Sequence, residues 1–118
     1  MASILVIDDE APIRALLSTA LQSAGYAVVE AANGREGLGS YRQRPADLVI
    51  VDLLMPELNG SDTIIELTRE FLDIKVIAIS GVFSDEYLRK TARLLGARQT
   101  LRKPFGIEEL LSAVRYEL

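Results

Sequence analysis

Histidine and cysteine are both missing from this chain of 118 residues. Without histidine it cannot build a Ser-His-Asp triad or carry a phosphoryl group on an imidazole, so any proton or phosphoryl chemistry must use other side chains. Without cysteine there are no disulfides and no thiolate metal site, which fits a cytoplasmic location. No apolar run approaches the roughly 20 residues that span a bilayer, so no membrane association is expected. Met1 leads into a strand-like segment without the basic stretch and apolar core of a secretory leader. A net charge of −4 argues against a general nucleic-acid binder, and no direct nucleic-acid contact is expected. Six of the thirteen basic residues nevertheless fall between Arg89 and Lys103. That cluster reads as a solvated face or as a docking surface.

The length suits one domain with one core. Short apolar runs alternate with helical periods along it. Ile4 to Ile7 is the first run; Ile13, Leu16, Leu17, Ala20 and Leu21 then recur at helical spacing, with Pro12 near the start and Gly25 past the end. Ala27 to Val29 is a shorter run, and Asn33 is placed to cap a second helix holding Leu38 and Tyr41, weakened by Gly37 and Gly39. Leu48 to Val51 is the third run, followed by the loop "LLMPELNG" and a helix around Ile64, Ile65, Leu67 and Phe71. Val76 to Ile79 is the fourth. Ser84 is placed to cap a helix carrying Tyr87, Leu88, Leu94 and Leu95, with Gly96 as its stop. "ARQTLR" is a poor fifth strand, and Ile107, Leu110, Leu111 and Val114 mark a last helix. Five strand–helix units in alternation imply an α/β protein with a doubly wound parallel sheet. Runs one, three and four are apolar at every position, as strands buried on both faces are; runs two and five suit edges.

The polar residues converge at one rim. Asp8 and Asp9 follow the first run, Asp52 ends the third, Ser80 and Gly81 follow the fourth, and Lys103 follows the fifth. Open α/β sheets bind ligands beyond the carboxyl ends of their strands, where the strand order reverses. Each residue has a plainer reading: acids suit a helix N-terminus, serine suits a turn, and most lysines are solvated. Together they read as a site. Carboxylates grouped this way suit Mg²⁺, with Mn²⁺ as the alternative ion and waters completing the octahedron. A carboxylate also attacks phosphorus to give an acyl phosphate, and phosphoryl transfer needs positive charge on the transferring oxygens. Asp52 is then the nucleophile, Asp8 and Asp9 the metal holders, Ser80 a hydroxyl donor, Gly81 a gap beside it, and Lys103 the countercharge.

With "VIDDE", "VDLLMPELNG", "AISG" and "LRKPF" in this order, the chain resembles a response-regulator receiver domain, the phosphoacceptor of two-component signalling, over residues 1–118. The resemblance implies a flavodoxin-like (βα)5 fold with strand order 2-1-3-4-5. It implies phosphorylation of Asp52 by a histidine kinase or histidine phosphotransferase. Asp9, Asp52 and the backbone carbonyl of Leu54 would ligate Mg²⁺, with Asp8 acting mainly through water. Ser80 and Lys103 would contact the phosphoryl group, the Lys103–Pro104 bond would be cis, and Gly60 falls where the family places a glycine near the third helix. The protein would be a signalling switch that catalyses only its own phosphorylation and dephosphorylation. Its output would run through the face of the fourth helix, fifth strand and fifth helix. No output domain follows Leu118 in this sequence. The chain therefore acts by binding a downstream protein, or an effector domain belongs beyond it.

Thr100 departs from the aromatic residue that the family usually carries three positions before its lysine. Coupling between Ser80 and the output face is then smaller, or runs through Phe83, Tyr87 or another contact. Leu54 and Val82 are apolar where some members place groups that assist hydrolysis, so slow autodephosphorylation is expected. A receiver fold used without phosphorylation is one rival, favoured by Thr100 and opposed by the intact acids, Ser80 and Lys103. A phosphatase with an aspartyl nucleophile is another, but it would need Asp-x-Asp after the first run, where this chain has "DDE". "GREGLG" has its glycines at the wrong spacing for a dinucleotide turn.

Overall fold

In a computed structural model of the chain, residues 1–53, 60–81 and 86–118 are described, with the backbone alone at 60, 61 and 86–89. Five strands and five helices alternate: β1 Ser3–Ile7, α1 Ala11–Ser23, β2 Ala27–Ala31, α2 Gly34–Gln43, β3 Leu48–Asp52, α3 Gly60–Glu70, β4 Val76–Ser80, α4 Glu86–Leu95, β5 Gln99–Arg102 and α5 Ile107–Glu117. The strands form one parallel sheet in the order β2-β1-β3-β4-β5. The two weak apolar runs are thus the two edges. No helix among the described residues is long and apolar enough to cross a membrane.

Alternation along the central strands divides the core into two layers. Leu5, Ile7, Val49, Val51, Val76 and Ala78 face a cluster with Leu38 and Tyr41 of α2, Ile64 and Leu67 of α3, and Ala92 of α4. Ile4, Val6, Ile50, Ile77 and Ile79 face the other way, onto Leu17 and Leu21 of α1 and Leu110 and Val114 of α5. Each fully buried Ile or Leu stabilises the fold by roughly 1.5–3 kcal/mol. On the first side, the rings of Tyr41 and Phe71 meet edge to face at 4.6 Å, closing α2 against the end of α3.

Local signals fix the helix ends. Asn33 accepts the Glu36 N–H at 2.9 Å, the expected cap of α2. Gly25 and Gly96 take φ of +98° and +124°, a left-handed turn that releases the chain after α1 and α4 at low steric cost. Gly37 has a different reason to be glycine. A Cβ there would run into Ile7 Cδ1, so its absence lets α2 lie close on β1. The fourth helix follows the periodic reading at Leu95, which packs against the core, and departs from it at Leu94, which is 87 % exposed while Ala92 is buried. The proposed Ser84 cap lies outside the described residues, as do the side chains of Tyr87 and Leu88.

Candidate functional site

The acids are delivered by the two strands at which the sheet order reverses. In β1 and β3, Ile7 pairs with Val51, so Asp8 and Asp52 end adjacent strands at the same rim. Asp8 and Asp52 are buried, while Asp9 and Glu10 are exposed. One carboxylate oxygen from each of Asp8, Asp9, Glu10 and Asp52 lies within 4.8 Å of the others. Lys103 enters from the end of β5. Its Nζ stands 3.7 Å from Asp52 Oδ2, 3.9 Å from Asp8 Oδ2 and 3.9 Å from Glu10 Oε1. Its backbone N–H donates to the Ser80 carbonyl at 2.9 Å, and its bond to Pro104 is cis.

Asp8 shows the strain of this crowding. Its Oδ1 accepts the Glu10 N–H at 2.8 Å, but its buried Oδ2 accepts no hydrogen bond among the described residues. Burial pushes the Asp8 carboxyl above the usual range; the Glu10 N–H and the Lys103 ammonium pull it down by less, and the charges of Asp9 and Glu10 push it up again. An all-oxygen donor set with an unsatisfied buried carboxylate oxygen fits a hard divalent cation.

The remaining expected residues sit around this cluster. Ser80 is fully buried at the end of β4, one residue past Ile79, which pairs with Asp52. Its hydroxyl donates to the Leu101 carbonyl at a long 3.4 Å, on the β5 side. Gly81 follows, half-buried. Thr100 pairs with Ala78 and Arg102 with Ser80, so Thr100 and Ser80 share one sheet face a single pair apart. Leu54, Val82 and Phe83 lie outside the described residues, and with them the expected backbone ligand and the apolar flanks.

Two residues escaped the sequence reading. Glu10, whose charge suits the N-terminus of α1, also joins the acid cluster and the Lys103 ion pairs. Arg14 donates from Nη1 to the Asp8 carbonyl at 2.7 Å and from Nε to Glu30 Oε1 at 3.1 Å. Its signal was available: a cation near the N-terminus of a helix opposes the dipole and needs a local reason.

The fold and this carboxylate–ammonium rim define a flavodoxin-like α/β protein of the chemotaxis-receiver type. Residues 4–115 match the response regulator receiver domain family, and the chain belongs to it. It is 42 % identical over 112 residues to the "Probable transcriptional regulator ycf27" of Porphyridium aerugineum, spanning 95 % of this chain and 46 % of that protein. It is 33 % identical to the chemotaxis protein CheY of Thermotoga maritima, across 94 % of this chain and 92 % of that one. The structure of Vibrio cholerae CheY4 superimposes with a TM-score of 0.93 at 30 % identity, covering 100 % and 99 % of the two chains. The receiver domain of Brucella abortus NtrX gives 0.93 at 27 % identity, over 98 % and 97 %. The chain spans less than half the length of the ycf27 proteins it matches. Receiver domains are the signalling switches of two-component systems; they bind Mg²⁺ in an acidic pocket and stand between histidine kinases and downstream effectors.

Proposed function

We propose that residues 1–118 form one receiver domain that accepts a phosphoryl group on Asp52 from the phosphohistidine of a histidine kinase or phosphotransferase in the cytoplasm. The observation that carries this reading is the buried pair Asp8 and Asp52, on adjacent strands, with one ammonium between them. A divalent ion ligated by Asp9, Asp52 and the backbone carbonyl of Leu54, with Asp8 acting mainly through water, would supply positive charge against the transferring oxygens. An Asp52 carboxylate oxygen attacks phosphorus, the phosphorus–nitrogen bond of the donor breaks, and the leaving imidazole takes up a proton from water. The product is an acyl phosphate. Lys103 balances the added charge, the Ser80 hydroxyl turns from the Leu101 carbonyl to a phosphoryl oxygen, and Gly81 leaves room for the group.

Phosphorylation adds about 1.5–2 negative charges and three acceptor oxygens. The output surface is the face of α4, β5 and α5, where Arg93, Leu94, Arg102 and Tyr116 are exposed. Its basic residues suit an acidic protein partner or a joined effector domain. The likeness to ycf27, a probable transcriptional regulator of about twice the length, supports the joined arrangement. Incubation with Mg²⁺ and a small phosphodonor should raise the intact mass by one phosphoryl group. Asp52→Asn should abolish the gain, and a gain that survives in Asp52→Asn refutes the assignment.

A further inference from the structure

The β1–α1 turn that displays the acids is held from the edge of the sheet. The Asp8 N–H donates to the Ala31 carbonyl of β2 at 3.1 Å. The Asp8 carbonyl accepts Arg14 Nη1 at 2.7 Å, and the same guanidinium is held by Glu30 of β2 through Nε at 3.1 Å. Both backbone polar groups of Asp8 are therefore tied to β2, one directly and one through Arg14. The Arg14 side chain is only 18 % exposed, so its planar fork is confined between these two acceptors. With Oδ1 of Asp8 taken by the Glu10 N–H, the carboxylate is left with Oδ2, which accepts no hydrogen bond among the described residues and stands 3.9 Å from the Lys103 ammonium.

We propose that Arg14, oriented by Glu30, is a positioning residue for the divalent-cation site: it fixes the Asp8 peptide and so the direction in which the Asp8 and Asp9 carboxylates meet the ion. This rests on the functional reading above. Charge and geometry make opposite demands here, which is what makes the inference testable. A cation beside a cation site repels the ion, so if Arg14 were merely a nearby charge, removing it would tighten binding. If Arg14 sets the geometry, removing it weakens binding, as losses in the shell around metal ligands do, by about tenfold at the low end of the usual range.

The experiment is calorimetric titration of the whole chain with Mg²⁺, read alongside the Mg²⁺ concentration that half-saturates phosphorylation by a small phosphodonor. Arg14→Gln is expected to weaken both by about tenfold. Arg14→Lys, which keeps the charge but cannot span both acceptors, should fail to restore them. Glu30→Ala should weaken binding in the wild-type background and add nothing to Arg14→Gln, since it acts through the same guanidinium. If Arg14→Gln does not fold, Arg14→Lys and Glu30→Ala carry the same test. Unchanged or tighter Mg²⁺ binding by the variants, with normal binding by the wild-type chain, overturns this inference alone. Absence of Mg²⁺ binding by the wild-type chain overturns the functional reading and this inference together.

Discussion

The two rims of the sheet treat buried carboxylates in opposite ways. At the amino-terminal rim, the Glu117 side chain is 6 % exposed and well supplied: Gln99 Nε2 donates to its Oε2 at 2.7 Å and Arg98 Nη1 stands 3.7 Å from Oε1. Lys75 Nζ donates to the carbonyl of the same residue at 2.6 Å, and Gln99 also reaches the Ala113 carbonyl. At the carboxyl-terminal rim, Asp8 is still more deeply buried but keeps an oxygen without a hydrogen bond. The Lys103 ammonium is shared there by three acids, at 3.7 Å from Asp52 and 3.9 Å from Asp8 and Glu10. A buried carboxylate with an amide donor and a guanidinium of its own ties α5 to β5. One that is under-supplied is a site waiting for charge, because leaving it so is otherwise costly.

The largest expected effect is at Lys103. In the absence of divalent ions its ammonium stands within 4 Å of the carboxylates of Asp8, Glu10 and Asp52. Lys103→Ala should then lower unfolding stability by about 2–3 kcal/mol, less than the 3–5 of a fully buried pair because a fifth of the side chain is exposed. Mg²⁺ should recover most of that loss. Mg²⁺ binding itself should be preserved or slightly tighter, while signalling output is lost. Denaturant melts with EDTA and with Mg²⁺ read the first part. If output survived unchanged, the role assigned to the lysine would be wrong.

The other rim supplies the control. Glu117→Ala removes an acceptor that is filled in the resting protein, so it should cost about 1–2 kcal/mol whether or not Mg²⁺ is present. The same melts show it. A loss that Mg²⁺ abolished would mean that the two rims are not independent, and the contrast between them would fail.

Most of the scaffold could be read from the residues because its signals are local or strictly periodic. The three apolar runs declared the central strands, Gly25 and Gly96 declared helix ends, and Asn33 declared a cap. The rim residues Asp8, Asp52, Ser80 and Lys103 were legible for another reason: the ends of parallel strands meet at one edge whatever the loops between them do. What stayed hidden depends on tertiary packing. Leu94 fits the helical period yet faces outward, while Ala92 and Leu95 of the same helix meet the core. Gly37 lowers the helix propensity of α2, and only its close approach to Ile7 of β1 gives the reason for a glycine there. Arg14 and Glu30 are sixteen residues apart and meet only because β2 lies beside β1.

The smallest effect is the sharpest test of the contrast. In the metal-free protein Asp8→Asn should raise stability by about 1 kcal/mol, since it removes a buried charge whose Oδ2 has no hydrogen bond. Burial is the main cause that raises the Asp8 carboxyl above its ordinary value, so the folded state binds a proton there more readily than the unfolded chain. Stability contributed by Asp8 therefore falls as pH rises from its unfolded value through its folded one, and the whole penalty is present above that. The advantage of Asp8→Asn should accordingly be full at neutral pH and shrink as pH drops into the carboxylate range, where the wild-type side chain also becomes neutral. Saturating Mg²⁺ at neutral pH should reverse the order of the two proteins, because only the wild-type carboxylate gains from the ion. Thermal melts of both across pH, with EDTA and with Mg²⁺, give all three comparisons. A variant less stable than wild type in EDTA at neutral pH would mean that the Asp8 charge is already satisfied, and that the two rims differ in composition but not in electrostatic supply.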